Sequence, residues 1–320
     1  MISTLSEAEA HRLVDDVRKS QPDFHGRHML NFKVETSQGW AILRIPRPEF
    51  IGYDARMLAE GDAIRMAEFA GANVPKILYQ ADEFLVESFI EGGPARNSEW
   101  RQWLDDLLAQ VSTVRCANLG SSYGIRTIYE WQCWMRGFLL DLHARLYAEY
   151  AGRIDAVGLP SLGAVWTPDP SEDGAVSLVH ADLHAENLVI GPNGTLWILD
   201  WELAVIADPV WEAAVSVHRT KWPDETARST ATDLWLESLR EVGDEVQVAR
   251  RYEIYRTLEI WKSLLVDSVK YPNDIRDDRA MLDARTDSFH RKLIAGRDLF
   301  GCSDLSRDEV RALLSEWTMT

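Results

Sequence analysis

The sequence predicts an α+β fold of two lobes, a small antiparallel sheet with one helix followed by a larger, mostly helical part. Three observations carry this expectation. Leu30 to Glu35 and Trp40 to Ile45 are β-rich runs around Thr36-Ser37-Gln38-Gly39, a hairpin signal. From Asn97 onward, apolar residues recur at helical spacing through most of the chain. Between those helical stretches, residues 176–199 break the pattern with three short apolar runs.

The elements follow in order. After the first hairpin, Ala55 to Phe69 places Met57, Leu58, Ile64, Met66 and Ala67 at helical spacing, and Gly71-Ala72-Asn73 before Val74-Pro75 stops it. Lys76 to Gln80 and Phe84 to Ile90 read as two more strands, the second closing on the break Glu91-Gly92-Gly93-Pro94. Asn97-Ser98 signals a helix start for Ser98 to Val114. Thr127 to Ile154 is a longer helix whose stripe, from Trp131 to Leu146, is best explained as core between helices. Pro160 to Gly174 is a Pro/Gly/Asp-rich loop. Beyond residue 209 the expected helices are Val210 to Val217, Thr226 to Val242, Asp244 to Tyr271, Asp277 to Leu299 and Ser306 to Trp317.

Composition limits the function. The 320 residues are 46% hydrophobic, as in ordinary globular proteins. No run approaches about 18 apolar residues and the first twenty residues hold no apolar core of a leader, so neither a membrane span nor a secretory signal is expected. Cys116, Cys133 and Cys302 are far apart and lack metal spacing, which fits a reducing, cytoplasmic setting. A formal net charge of −17 argues against a nucleic-acid partner, whose phosphates demand basic patches. It suits a cationic acceptor, although acidic surfaces also serve solubility alone.

The most informative stretch runs from Leu178 to Glu202. Val176 to Val179, Leu188 to Ile190 and Thr195 to Leu199 are strand-like, with Gly191-Pro192-Asn193-Gly194 turning between the last two. Asp182 and Asn187 fall in the loop after one buried strand, and Asp200 at the end of another. Phosphoryl transfer to a hydroxyl wants this set. A carboxylate, Asp182, takes the hydroxyl proton, and two oxygen donors, Asn187 and Asp200, hold Mg²⁺ against the phosphates.

His180-Ala181-Asp182-Leu183-His184-Ala185-Glu186-Asn187, followed by Ile198-Leu199-Asp200-Trp201-Glu202 and Ala207-Asp208-Pro209, resembles the catalytic and metal loops of the aminoglycoside phosphotransferase family. That family includes macrolide and cyclic-peptide antibiotic kinases and shares the protein-kinase-like two-lobe fold. The family patterns are H-G-D-x-x-x-x-N, I-D-W/F/Y-E/D and G-D-P. Alanine replaces glycine at 181 and 207, a small-for-small change expected to leave the loop intact. The resemblance implies a nucleotide-binding lobe over residues 1–90 and a catalytic, acceptor-binding lobe over 91–320, with a core at about 94–213 and a helical substrate subdomain at about 214–320.

It also implies roles. Arg44 stands where protein kinases carry a lysine on the α- and β-phosphates, with Glu60 as its partner, and a fork of donors is not a neutral swap for a compact ammonium. The backbone around Glu87, Ser88 and Phe89 would meet the adenine edge. Asp208 is a structural brace for the catalytic loop. His184, Trp201, Glu202 and Glu212 are candidates for the acceptor, with Asp224-Glu225 nearby, while Trp201, Trp211 and Trp222 suit either cleft walls or core. Gly26 stands alone, so the triphosphate lid is unassigned and GTP remains an alternative to ATP. The expected activity is ATP- and Mg²⁺-dependent phosphorylation of a hydroxyl on a small-molecule antibiotic of the aminoglycoside, macrolide or cyclic-peptide type, for resistance or self-protection, by a monomer or homodimer. The alternatives are a choline-, homoserine- or thioribose-type metabolite kinase, a protein Ser/Thr kinase, against which no A-P-E segment or long activation loop follows Asp200, and a non-catalytic nucleotide-binding protein.

Overall fold

The computed structural model describes residues 5–25, 29–47, 52–117 and 124–319. Gly26 lies outside them. Helix α1 (Glu7–Val17) opens the chain, capped by the Ser6 side chain accepting from the Glu9 amide. A five-stranded antiparallel sheet follows in the order β1-β2-β3-β5-β4, from β1 (Phe24–His25), β2 (Met29–Thr36), β3 (Gly39–Pro46), β4 (Ile77–Gln80) and β5 (Leu85–Ser88).

Strand alternation assigns the two faces of this sheet. Phe32, Val34, Ala41, Leu43 and Val86 point one way and bury against Ala10, Leu13 and Val17 of α1. Arg44 and Glu87 point the other way, towards α2 (Glu60–Ala70). That helix starts five residues later than its apolar pattern suggests, because Ala55 to Ala59 are spent crossing towards the second lobe. Gly71 ends it in the left-handed conformation, φ 99°, donating its amide to the last turn.

The two-residue strand β6 (Gly93–Pro94) crosses into the second lobe and pairs with β8 (Leu188–Ile190), which pairs in turn with β9 (Leu196–Ile198). A Cβ on Gly92 would lie 2.4 Å from the Ile190 carbonyl oxygen, so this crossing demands glycine. β7 (Ser177–Val179) pairs not with β8 but with β10 (Val205–Ala207). The loop that carries Asp182 and Asn187 therefore runs between two small sheets.

Helices make up the rest: α3 (Trp100–Cys116), α4 (Ile128–Val157), the single turn α5 (Leu162–Val165), α6 (Pro209–Arg219), α7 (Glu225–Glu237), α8 (Glu245–Asp277), α9 (Leu282–Phe300) and α10 (Arg307–Trp317). α8 passes through Pro272 rather than ending at Tyr271. Proline removes one helical bond, but Val269, Tyr271, Pro272 and Ile275 are all buried, with Tyr271 and Ile275 packed among Phe289, Leu293 and Leu314, which holds the helix in place. Among the described residues no helix is long and apolar enough to cross a membrane.

Candidate active site

The loop after β7 is held from three sides. His180 is buried, and its ring Nε2 lies 2.8 Å from the Leu199 carbonyl, one residue before Asp200. Burial holds its pKa below the ordinary value, so it packs as a neutral ring against Trp201. Glu212, on α6, accepts from the amides of His180 and Ala181. The Asn187 carbonyl accepts from the Leu199 amide at 2.9 Å, which ties the loop to the end of β9.

Within this frame Asn187 Nδ2 donates to the carbonyl (2.8 Å) and carboxylate (3.2 Å) of Asp182. That commits the nitrogen and leaves the amide oxygen as the atom able to ligate. Asp200 follows β9 with φ 62°, and Ala181 has φ 64°. Both are non-glycine residues in the left-handed region, which costs roughly 1–2 kcal/mol each and marks a backbone held by its surroundings. The alanine at 181 is thus not a neutral exchange for glycine; the two bonds to Glu212 help to hold it. Asn187 and Asp200 offer hard oxygen donors on one hairpin, with the Asp200 side chain 33% exposed, a set that fits Mg²⁺.

Above Asp200, Arg44 is buried among three carboxylates. It lies 3.1 Å from Glu60, the expected partner, 3.6 Å from Glu87 and 2.5 Å from Asp200. Burial works against the guanidinium charge, but Glu60, Asp200 and Glu87 outweigh it and hold its pKa well above the ordinary value. Glu60 and Glu87 are also pushed up, by burial and despite Arg44. One cation shared by buried Glu60 and Glu87 favours their neutral forms.

Several expected site residues stand elsewhere. The Ser88 amide donates to the Lys76 carbonyl at 2.8 Å and the Phe89 amide to the Trp40 carbonyl at 3.0 Å, while Lys33 Nζ sits 3.9 Å over the Phe89 ring. With Glu87 turned to Arg44, these two amides and this side chain are committed inside the lobe and do not offer donors to an adenine edge. Trp201 is buried, donates from Nε1 to the Ile198 carbonyl and is core. Glu202 is buried and pairs with Arg56 at 3.1 Å; burial, then Asp200, pushes its carboxyl up to about 7. Glu212 faces the loop backbone and not an acceptor. Asp224 caps α7 and Glu225 pairs with Arg228, so the four acidic residues proposed for a cationic acceptor do not line a common cleft. Trp211 donates to Glu259, and Trp222 packs on Trp100 and Trp103, again core.

His184 is at the site, 3.5 Å from Asp182. Asp208, 0% exposed, caps α6 through the Val210 amide, accepts from the Tyr255 hydroxyl at 2.7 Å and lies 3.3 Å from Arg251. It braces the loop indirectly, by anchoring the helix that carries Glu212. Sequence reading missed Arg219, the last residue of α6, whose Nη1 bonds Asp182 Oδ1. Burial opposes ionisation of Asp182, yet Arg219 and His184 outweigh it and hold the carboxyl well below the usual range.

Burial pushes the Glu212 carboxyl from 4.5 up to about 7, against the pull of the two amides. A raised carboxyl contributes stability that is complete below the unfolded pKa and is lost as pH rises through the folded one. A shift of this size is worth on the order of 3 kcal/mol. Urea denaturation between pH 4.5 and 8 should therefore show wild-type protein losing about that much more stability than Glu212→Gln; parallel curves would contradict it.

The profile of the phosphotransferase enzyme family matches residues 21–246. A choline/ethanolamine kinase family protein from Mesorhizobium loti superposes with a TM-score of 0.55 at 18% identity, covering 96% of this chain and 100% of its own. The aminoglycoside phosphotransferase APH(2")-IIa, solved with streptomycin and ATP, gives 0.53 at 12% identity over 82% and 92%. Choline kinase LicA from Streptococcus pneumoniae gives 0.54 at 16% over 92% and 100%. A sequence search of curated proteins returns no significant match. A family profile that spans most of the chain, over a fold shared with kinases of small molecules, places the protein: it belongs to the phosphotransferase enzyme family.

Proposed function

We propose that this chain transfers the γ-phosphoryl group of ATP to a hydroxyl of a small molecule, with residues 1–90 as nucleotide lobe and 91–320 as catalytic and acceptor lobe. The observation that carries the reading is the bonded set Asn187–Asp182, with Asp200 on the adjoining strand end, built on a loop anchored by His180 and Glu212. Asp182 orients the hydroxyl and accepts its proton. Mg²⁺, held by Asn187 and Asp200, would neutralise charge on the phosphates. Arg44 reaches those phosphates by exchanging Asp200 for them and keeping Glu60. The adenine edge falls to the backbone from Ile90 to Gly92, beyond the committed amides.

The acceptor class divides between antibiotics and metabolites, since both kinds of kinase stand among the structural neighbours. That Glu202, Glu212, Asp224 and Glu225 are each engaged elsewhere favours the metabolite type over a polycationic antibiotic. An ADP- and GDP-release assay with Mg²⁺, either nucleotide, and a panel of aminoglycosides, macrolides, cyclic peptides, choline and homoserine tests this. Stimulation by a metabolite is the expected result; stimulation by one antibiotic class restores the resistance or self-protection reading. Nucleotide binding with neither hydrolysis nor transfer would contradict catalysis altogether.

A further inference from the structure

Two cations converge beside the proposed base. Arg219, at the end of α6, and Lys262, in the middle of α8, are both largely shielded from solvent. They are brought together by one carboxylate oxygen, Asp54 Oδ1, which lies 3.0 Å from Arg219 Nη2 and 2.6 Å from Lys262 Nζ. The other arm of the Arg219 fork is on Asp182. Asp54 does not belong to the acceptor lobe. It comes from the connection between β3 and α2, and the neighbouring Gly52 carbonyl accepts from Arg145 of α4 at 3.2 Å. Glu259, one turn before Lys262 on α8, is turned to the Trp211 indole at 2.9 Å, and His218 is turned to Ser263 at 2.8 Å.

We propose that Arg219 and Lys262 form a carboxylate subsite of the acceptor cleft, filled here by Asp54, and that the acceptor is a small hydroxy acid. This rests on the phosphotransferase reading above and names its substrate class. A carboxylate already sits on the pair, one of its oxygens taken by one arm of the guanidinium and by the ammonium. The subsite adjoins Asp182, so an acid bound there holds its own hydroxyl near the base. The reaction balances as a simple transfer. The acceptor O–H proton goes to Asp182, the new O–P bond forms and the bond to the ADP oxygen breaks.

The test is ADP release from Mg·ATP by the whole chain, with L-homoserine and D-glycerate beside their amides, and with choline and kanamycin as cations lacking an acid group. Charge-assisted bonds of this kind are worth roughly 10- to 100-fold in binding. The acids should exceed their amides by about that factor in kcat/KM. Lys262→Met should raise the acid's KM at least tenfold, and Asp54→Asn, by removing the internal competitor, should lower it. A contact that merely latches the lobes together would not give that fall. Equal use of acid and amide, or preference for choline or kanamycin, overturns the subsite, and this comparison needs no variant to fold. ADP formed with water alone, and not stimulated by either acid, also overturns the subsite while leaving phosphotransfer standing. No ADP under any condition overturns the phosphotransferase reading and the subsite with it.

Discussion

Asp182→Ala lowers kcat by about 10²- to 10⁴-fold, the range for loss of a positioned general base, and leaves nucleotide affinity within a few-fold of wild type. The separation follows from the geometry. Asp182 is bonded to Asn187, Arg219 and His184, all groups of the acceptor side or the loop itself, whereas the phosphate-side cation Arg44 is held by Glu60, Glu87 and Asp200. Removing Asp182 also leaves Arg219 with Asp54 at 3.0 Å, so no unpaired buried charge is created and the fold survives. Steady-state kinetics beside nucleotide titration checks both halves. Near-normal turnover in the variant would remove Asp182 from the chemistry.

Asp208→Ala is expected to cost about 3–5 kcal/mol of stability, the range for breaking one side of a buried ion pair. Its carboxylate is wholly buried and serves three partners at once, the Val210 amide, the Tyr255 hydroxyl and Arg251. After the change Arg251, itself buried, keeps the Val242 carbonyl at 3.2 Å and, as its carboxylate, only Glu172 at 3.8 Å among the described residues. The N-cap of α6 is lost as well. Because α6 carries Glu212 and Arg219, activity should fall together with stability. Urea denaturation tests the claim directly, and pairing the change with Arg251→Met should recover part of the loss by removing the orphaned charge. A cost under about 1 kcal/mol, or no recovery, would show that Asp208 is not the anchor.

The parts of this molecule that were legible in the sequence are those fixed by local spacing. Asp182, Asn187 and Asp200 sit within 19 residues on strands and turns that announce themselves, and the structure places them on adjoining ends of β7, β8 and β9. The β2–β3 hairpin and α2 followed from alternation and from Gly71. What was missed depends on partners far away in the chain. Helix α1 was overlooked because its apolar face becomes meaningful only once the sheet supplies Phe32, Leu43 and Val86. β10 is three residues long and exists through its pairing with β7. Glu87 lies inside an apolar run, and only the fold shows that it meets Arg44.

The acceptor side was the least legible. Arg219 is separated from Asp54 by 165 positions and Lys262 from it by 208. Net charge pointed to a cationic acceptor, but −17 is a property of the whole surface, while Asp182 is bonded by Arg219 of α6, which shares Asp54 with Lys262 of α8. Trp201 and Glu212 lay close to the motif in sequence and turned out to support it from within. Adjacency along the chain says little about which face of a loop a side chain takes.

The account stands on Asn187 and Asp200 holding a metal–nucleotide complex below Arg44. Calorimetric titration of the protein with a non-hydrolysable ATP analogue, with and without Mg²⁺, tests that without any acceptor. Wild-type protein should bind at least about tenfold more tightly with Mg²⁺, and Asp200→Ala should abolish the difference. Binding indifferent to Mg²⁺ in the wild type, or unchanged dependence in Asp200→Ala, would contradict it.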